Sequence, residues 1–320
     1  MLEKKLLIAS GIENEREIQD YVDKIGALVN QFGEYKDKFS TKVKRKLTSH
    51  SSNYLLAKEL FNFLNSQKPR RYNSSTELSE VIDRQMSPDR NHRVGNCAGL
   101  TSLFTVLGNR LDLDLSIGLI QHGDNGELHV RSILDNNGRE IQIENTSKRG
   151  FDYPRLKYDD KCSAETLVPI TYNLRATRQM EKGNLGEAVP LLTRAVQEYP
   201  EFDISYLNLG SLLCKIPLPA PDKAIPLFKK AIQLRKSEEA HFGLASAYGM
   251  VGQTQLALDN FGEVLQINRK HLETYVNMGS MLQQLGFKDD ALKCFINAKH
   301  LNKNPAYTQL IEEGLRICSK

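Results

Sequence analysis

An alanine recurs at Ala188, Ala224, Ala257 and Ala291, at intervals of 36, 33 and 34 residues. Four positions after each stands Leu192, Phe228, Phe261 or Phe295, and seven positions after each stands Ala195, Ala231, Val264 or Ala298. Residues at i, i+4 and i+7 share one face of an α-helix, so each copy predicts a helix with a single apolar face. A second series lies upstream of each alanine: Tyr172, Tyr206, His241 and Tyr275, followed four residues on by Ala176, Gly210, Ala245 and Gly279. Small residues there let a paired helix approach closely. Gly183, Gly252 and Gly286 fall where the first helix of a unit must stop, whereas the second unit carries Pro217, Pro219 and Pro221 in a longer turn. No other feature constrains the fold as strongly, because a helix pair of this length buries its apolar face only against stacked copies of itself.

These positions resemble the tetratricopeptide pattern. The resemblance implies an all-α solenoid of four helical repeats over residues 166–320, with Tyr307 to Ile317 as a terminal capping helix. It also implies a scaffold that holds a protein or peptide partner on its concave face. The subclass that clamps carboxylate tails is not matched: Asn208, Gly243 and Asn277 occupy the relevant first-helix sites, and Glu239 and Glu273 stand where lysine is needed. Asn208 and Asn277 are the candidate partner-binding residues, as amides able to hydrogen-bond a ligand backbone; the alternative is two exposed helix residues with no ligand.

The N-terminal half is organised around three chemically active residues. Cys97 precedes Leu100, Leu103, Phe104, Leu107 and Leu111, an apolar stripe of helical period, and Asn96 stands at the N-cap position. The partial positive charge and unpaired N–H groups of a helix N-terminus favour a thiolate at Cys97. Leu115 to Gln121, Leu128 to Leu134 and Arg139 to Glu144 read as strands, the last two joined at Asp135-Asn136-Asn137-Gly138. A four-residue loop sets His129 opposite Glu144, and a two-residue Asn137-Gly138 turn makes them diagonal neighbours; in both registers they share a face. Glu144 can then orient the imidazole while its other nitrogen takes the thiol proton. Asn145 is the alternative for the orienting role. His122, in a polar turn, reads as exposed, and a metal held by Cys97, His129 and Glu144 lacks any accompanying CxxC or HExxH motif.

The order of helix cysteine, histidine and acid on successive strands resembles the transglutaminase-like branch of the papain-type fold. From about Leu6 to Ser147 the chain is similar to the bacterial subgroup in which such a domain, preceded by helices, leads into tetratricopeptide repeats. Glu144 stands where the commoner pattern has Asp. The resemblance implies an α+β transglutaminase-like domain over residues 1–165, with a helical preface at 1–66, a core at 67–150 and a linker at 148–165. Its activity would be thiol acyl transfer on protein or peptide amides (protease, deamidase or transamidase) with Cys97, His129 and Glu144 as catalytic residues and no cofactor. The alternative is a catalytically inactive domain of that fold serving as an interaction scaffold.

Charge argues against a nucleic-acid partner: the net +4 is mild, and the basic run Lys42-Val43-Lys44-Arg45-Lys46 has no interleaved aromatic residues. Five cysteines, at 97, 162, 214, 294 and 318, form no CxxC pair, as expected for a reducing cytoplasm. The apolar run Leu6-Leu7-Ile8-Ala9 is too short for a signal peptide, and no stretch has the length of a membrane span.

Overall fold

A computed structural model of the 320-residue chain describes residues 2–43, 52–68, 77–89, 93–120, 129–147, 149–152 and 158–319, the side chains of 38–43 excepted. His122 and most of the basic run at 42–46 lie outside the described residues. The chain divides into two compact units, Met1–Lys182 and Gly183–Lys320.

The first unit begins with α1 (Leu2–Ala9), α2 (Glu15–Val43), α3 (Ser52–Gln67), α4 (Leu78–Met86) and α5 (Cys97–Asn109). Strands β1 (Leu115–Ile120), β2 (His129–Asn136), β3 (Arg139–Ile143) and β4 (Asp160–Ser163) follow, and α6 (Leu167–Glu181) ends the unit. The strands form one antiparallel sheet in the order β3-β2-β1-β4. Helix α5 is buried at every residue from Ala98 to Gly108, its polar Thr101, Ser102 and Thr105 included. Leu6 and Leu7 of α1 and Leu167, Val168 and Ile170 of α6 are likewise fully buried, and both helices pack within this unit.

This architecture corrects the expectation of an α+β transglutaminase-like domain. Among the described residues the unit is predominantly helical, with one small sheet of four short strands and no papain-type core. The physical reason lies in where the apolar surface is buried. Helices α1 and α6, one read as a mere apolar run and the other as the start of the repeats, supply core side chains that a sheet this small does not. Asp160–Ser163, inside the stretch read as linker, is an edge strand paired with β1.

The second unit contains α7 (Leu185–Glu198), α8 (Asp203–Lys215), α9 (Pro221–Leu234), α10 (Glu238–Met250), α11 (Thr254–Ile267), α12 (Leu272–Gln284), α13 (Lys288–Leu301) and α14 (Pro305–Cys318). It is a stack of helix pairs: α8 packs on α9, α10 on α11 and α12 on α13, with α14 closing against α12 and α13. The recurring alanines, Ala188, Ala224, Ala257 and Ala291, have no exposed surface. Two of the aromatic residues four positions on, Phe228 and Phe295, fill the space that glycines leave. A Cβ added to Gly210 of α8 would stand 3.0 Å from the Phe228 ring, and one added to Gly243 of α10 only 2.3 Å from it. Phe295 is held in the same way, 3.0 Å from a Cβ on Gly279 of α12 and 2.5 Å from one on Gly314 of α14. Gly183, Gly252 and Gly286 adopt φ of +81°, +75° and +83° at helix ends, where a side chain would be strained.

Candidate functional site

Cys97 is the first residue of α5. The Asn96 side chain accepts a hydrogen bond from the Gly99 N–H at 3.0 Å, and the Asn96 carbonyl accepts one from the Leu100 N–H at 2.9 Å. The helix start is thus fixed at the sulfur-bearing residue, because the side-chain cap satisfies one of the N–H groups that a helix leaves without intrahelical partners.

His129 opens β2, and Glu144 follows directly on β3. The hairpin between them closes through a two-residue turn: Asn136 pairs with Arg139, while Asn137 and Gly138 adopt φ of +57° and +83°. Of the two registers open to the sequence, the structure takes the one with His129 and Glu144 as diagonal neighbours. His129 Nε2 lies 2.5 Å from Glu144 Oε2. Cys97 neighbours the same ring closely enough to act on its protonation, and with Nε2 on the carboxylate, Nδ1 is the nitrogen left for the thiol. The structure therefore brings Cys97, His129 and Glu144 together.

Electrostatics favour the charged forms of both partners. Hydrogen bonds to Cys97 and then to Glu144 push the His129 imidazolium up to about 10 against the opposing effect of burial. Burial works to raise Glu144, but His129 and then Thr146 outweigh it and hold the carboxyl below its ordinary range. Arg131, 2% exposed, places a guanidinium nitrogen 3.9 Å from Glu144 Oε2 and donates to Gln142 Oε1 at 3.0 Å. Glu144 thus lies between an imidazole and a buried fixed cation.

Asn145 does not take the orienting role. Its Nδ2 donates to Thr101 Oγ1 at 3.2 Å and Ser132 Oγ at 3.0 Å, a buried polar link between α5 and β2. Three contributors escaped sequence reasoning: Thr146, Arg131 and Gly150. Thr146 and Arg131 carry no motif, and Gly150 falls in the stretch read as linker. Among the described residues no group of three or more His, Cys, Asp and Glu is arranged to hold a metal ion.

The other cysteines differ from Cys97 in setting. Burial raises the Cys214 thiol and pushes Cys294 up to about 11, with Asp290 adding to the second. Cys318 is buried in α14. Cys162 sits half-buried on β4 opposite Ile117. In the repeats, Asn208 lies on α8 and Asn277 on α12, both half-buried.

No protein-family model matches the chain, and no curated protein matches it. Solved structures similar to it include MamA, at 22% identity and a TM-score of 0.41, covering 47% of this chain and 88% of that one. TTC0263, a thermophilic TPR protein in Thermus thermophilus, is 15% identical with a TM-score of 0.41, over 48% of this chain and 82% of that one. YrrB, a TPR protein with an unusual peptide-binding site, is 19% identical with a TM-score of 0.39, over 47% of this chain and 82% of that one.

Proposed function

We propose that the chain is a protein-interaction scaffold whose helical repeats hold a protein or peptide partner on the concave face. The stacking of α8/α9, α10/α11 and α12/α13 carries this reading. In such a stack the first helices of successive pairs lie side by side, so their outward residues form one continuous surface long enough for an extended peptide. Asn208 and Asn277 supply amides that both donate to and accept from a peptide backbone. Among the described residues no helix is long and apolar enough to cross a membrane. Binding of the full chain to an array of peptides, with and without Asn208→Ala/Asn277→Ala, tests the proposal.

The arrangement of Cys97, His129 and Glu144 favours a second reading, in which the scaffold also performs thiol acyl transfer. The Cys97 thiolate attacks an amide carbonyl carbon, and the Cys97 backbone N–H stabilises the oxyanion that forms. As the C–N bond breaks, the His129 imidazolium gives its proton to the leaving amine, and a thioester remains on Cys97. Water or an amine then attacks the thioester, His129 takes up its proton, and the thiolate departs. Glu144 keeps the imidazole oriented and its positive charge compensated throughout. Quenched peptides assayed with and without an amine acceptor distinguish hydrolysis from transamidation, and no turnover of either kind leaves the scaffold alone.

A further inference from the structure

Glu144 presents two carboxylate oxygens, and the site divides them. Oε2 meets His129 Nε2 at 2.5 Å. Oε1 accepts the Thr146 hydroxyl at 2.6 Å and the Thr146 N–H at 3.2 Å. A glutamate side chain turns about three bonds, so one anchored oxygen alone leaves the carboxylate plane mobile. The segment carrying Thr146 is itself closed on Glu144. The Glu144 N–H donates to the Gly150 carbonyl at 2.9 Å, and the Ser147 N–H donates to the Glu144 carbonyl at 3.3 Å. A Cβ at Gly150 would stand 2.0 Å from the Glu144 carbonyl oxygen, so only glycine permits this closure.

We infer that Thr146 is a positioning residue, which fixes the Glu144 carboxylate so that Oε2 stays on the His129 ring and the opposite ring nitrogen stays turned toward Cys97. Asn145, the neighbour with the same capacity to hydrogen-bond, is committed to Thr101 and Ser132. The two Thr146 donors also help to draw the Glu144 carboxyl down against the effect of burial. The purpose of this arrangement rests on the thiol reading, but its geometry does not.

The test is an NMR titration of the His129 imidazole in the full chain, paired with the rate at which iodoacetamide labels Cys97 at pH 6. Thr146→Val keeps the side-chain shape and the backbone donor but removes the hydroxyl. It should lower the His129 midpoint by about half a unit or more and slow Cys97 labelling roughly threefold, since charge-assisted hydrogen bonds dominate that balance. Thr146→Ser, which restores the hydroxyl, should restore both. Thr146→Ala serves if the valine variant does not fold, as judged by its circular dichroism and melting. An unmoved His129 midpoint in a folded variant, or a serine variant that fails to recover it, overturns the inference. Should wild-type Cys97 label no faster than Cys162 while the His129 midpoint still follows the Thr146 hydroxyl, the thiol reading falls and the positioning role stands.

Discussion

Oε2 of Glu144 lies 2.5 Å from Nε2 of His129, across a hairpin whose turn is only Asn137 and Gly138. A one-residue slip would send the two side chains to opposite faces, so the backbone φ of two turn residues sets the geometry of the charged pair.

That pair makes stability depend on pH in a defined direction. His129 is raised from its ordinary 6.5 to about 10, so its contribution is complete below pH 6.5 and is lost as pH climbs toward 10. Glu144 is held below its ordinary 4.5, so its contribution is present above that value and is lost as pH falls through its folded value. The combined effect should be greatest between about pH 4.5 and 6.5. Urea melts of wild type and His129→Ala across about pH 4–10 should converge at high pH; a constant difference between them at every pH would contradict the pairing.

The aromatic-on-glycine seam predicts sharp intolerance of a single methyl. Gly243→Ala and Gly314→Ala place a Cβ 2.3 Å and 2.5 Å from Phe228 and Phe295, and each should cost about 1–3 kcal/mol. Gly262→Ala on α11, with nothing within 4 Å of its added Cβ, should instead gain roughly 0.5–1 kcal/mol from helix propensity. Thermal melts of the three variants check this, and equal stability of all three would refute the seam.

Larger insertions at the alanine positions should be worse. Ala257→Arg and Ala291→Arg put a charge where no surface is exposed, at a cost of about 3 kcal/mol or more. Near-unchanged melting temperatures would mean that these helices do not pack as described.

Cys97 should be the fastest of the five thiols toward limited iodoacetamide at about pH 6, since it has a helix start and a histidine beside it. Cys294, raised to about 11 by burial, should be the slowest to label together with buried Cys318. His129→Ala should slow Cys97 markedly, and Glu144→Ala less. Peptide mass mapping gives the rates; equal rates at Cys97 and Cys162, indifferent to His129, would remove the thiol reading.

Much of this is legible in the residues. The spacing from Ala188 to Ala291, the glycine stops and the Asn96 cap are local signals, each tied to a backbone requirement that few residues meet. The first unit is less legible because order along the chain does not reveal which layers cover a sheet. The buried faces of α1 and α6 are too short or too ambiguous in period to announce that they complete its core. Arg131 and Thr146 stay hidden for a related reason. A charged strand residue reads as surface until it is seen buried between Glu144 and Gln142, and a threonine in a turn has no signature of the carboxylate it holds.

The scaffold itself is tested most directly by binding. The full chain, immobilised and probed with a diverse array of unstructured peptides, should retain a defined subset with shared side-chain spacing. Asn208→Ala/Asn277→Ala should weaken that subset about tenfold or more in a chain whose circular dichroism shows it folded, the loss expected for one or two backbone hydrogen bonds. A chain that retains no peptide, or a double variant that binds the same subset with undiminished affinity, would contradict a partner held on the repeat surface.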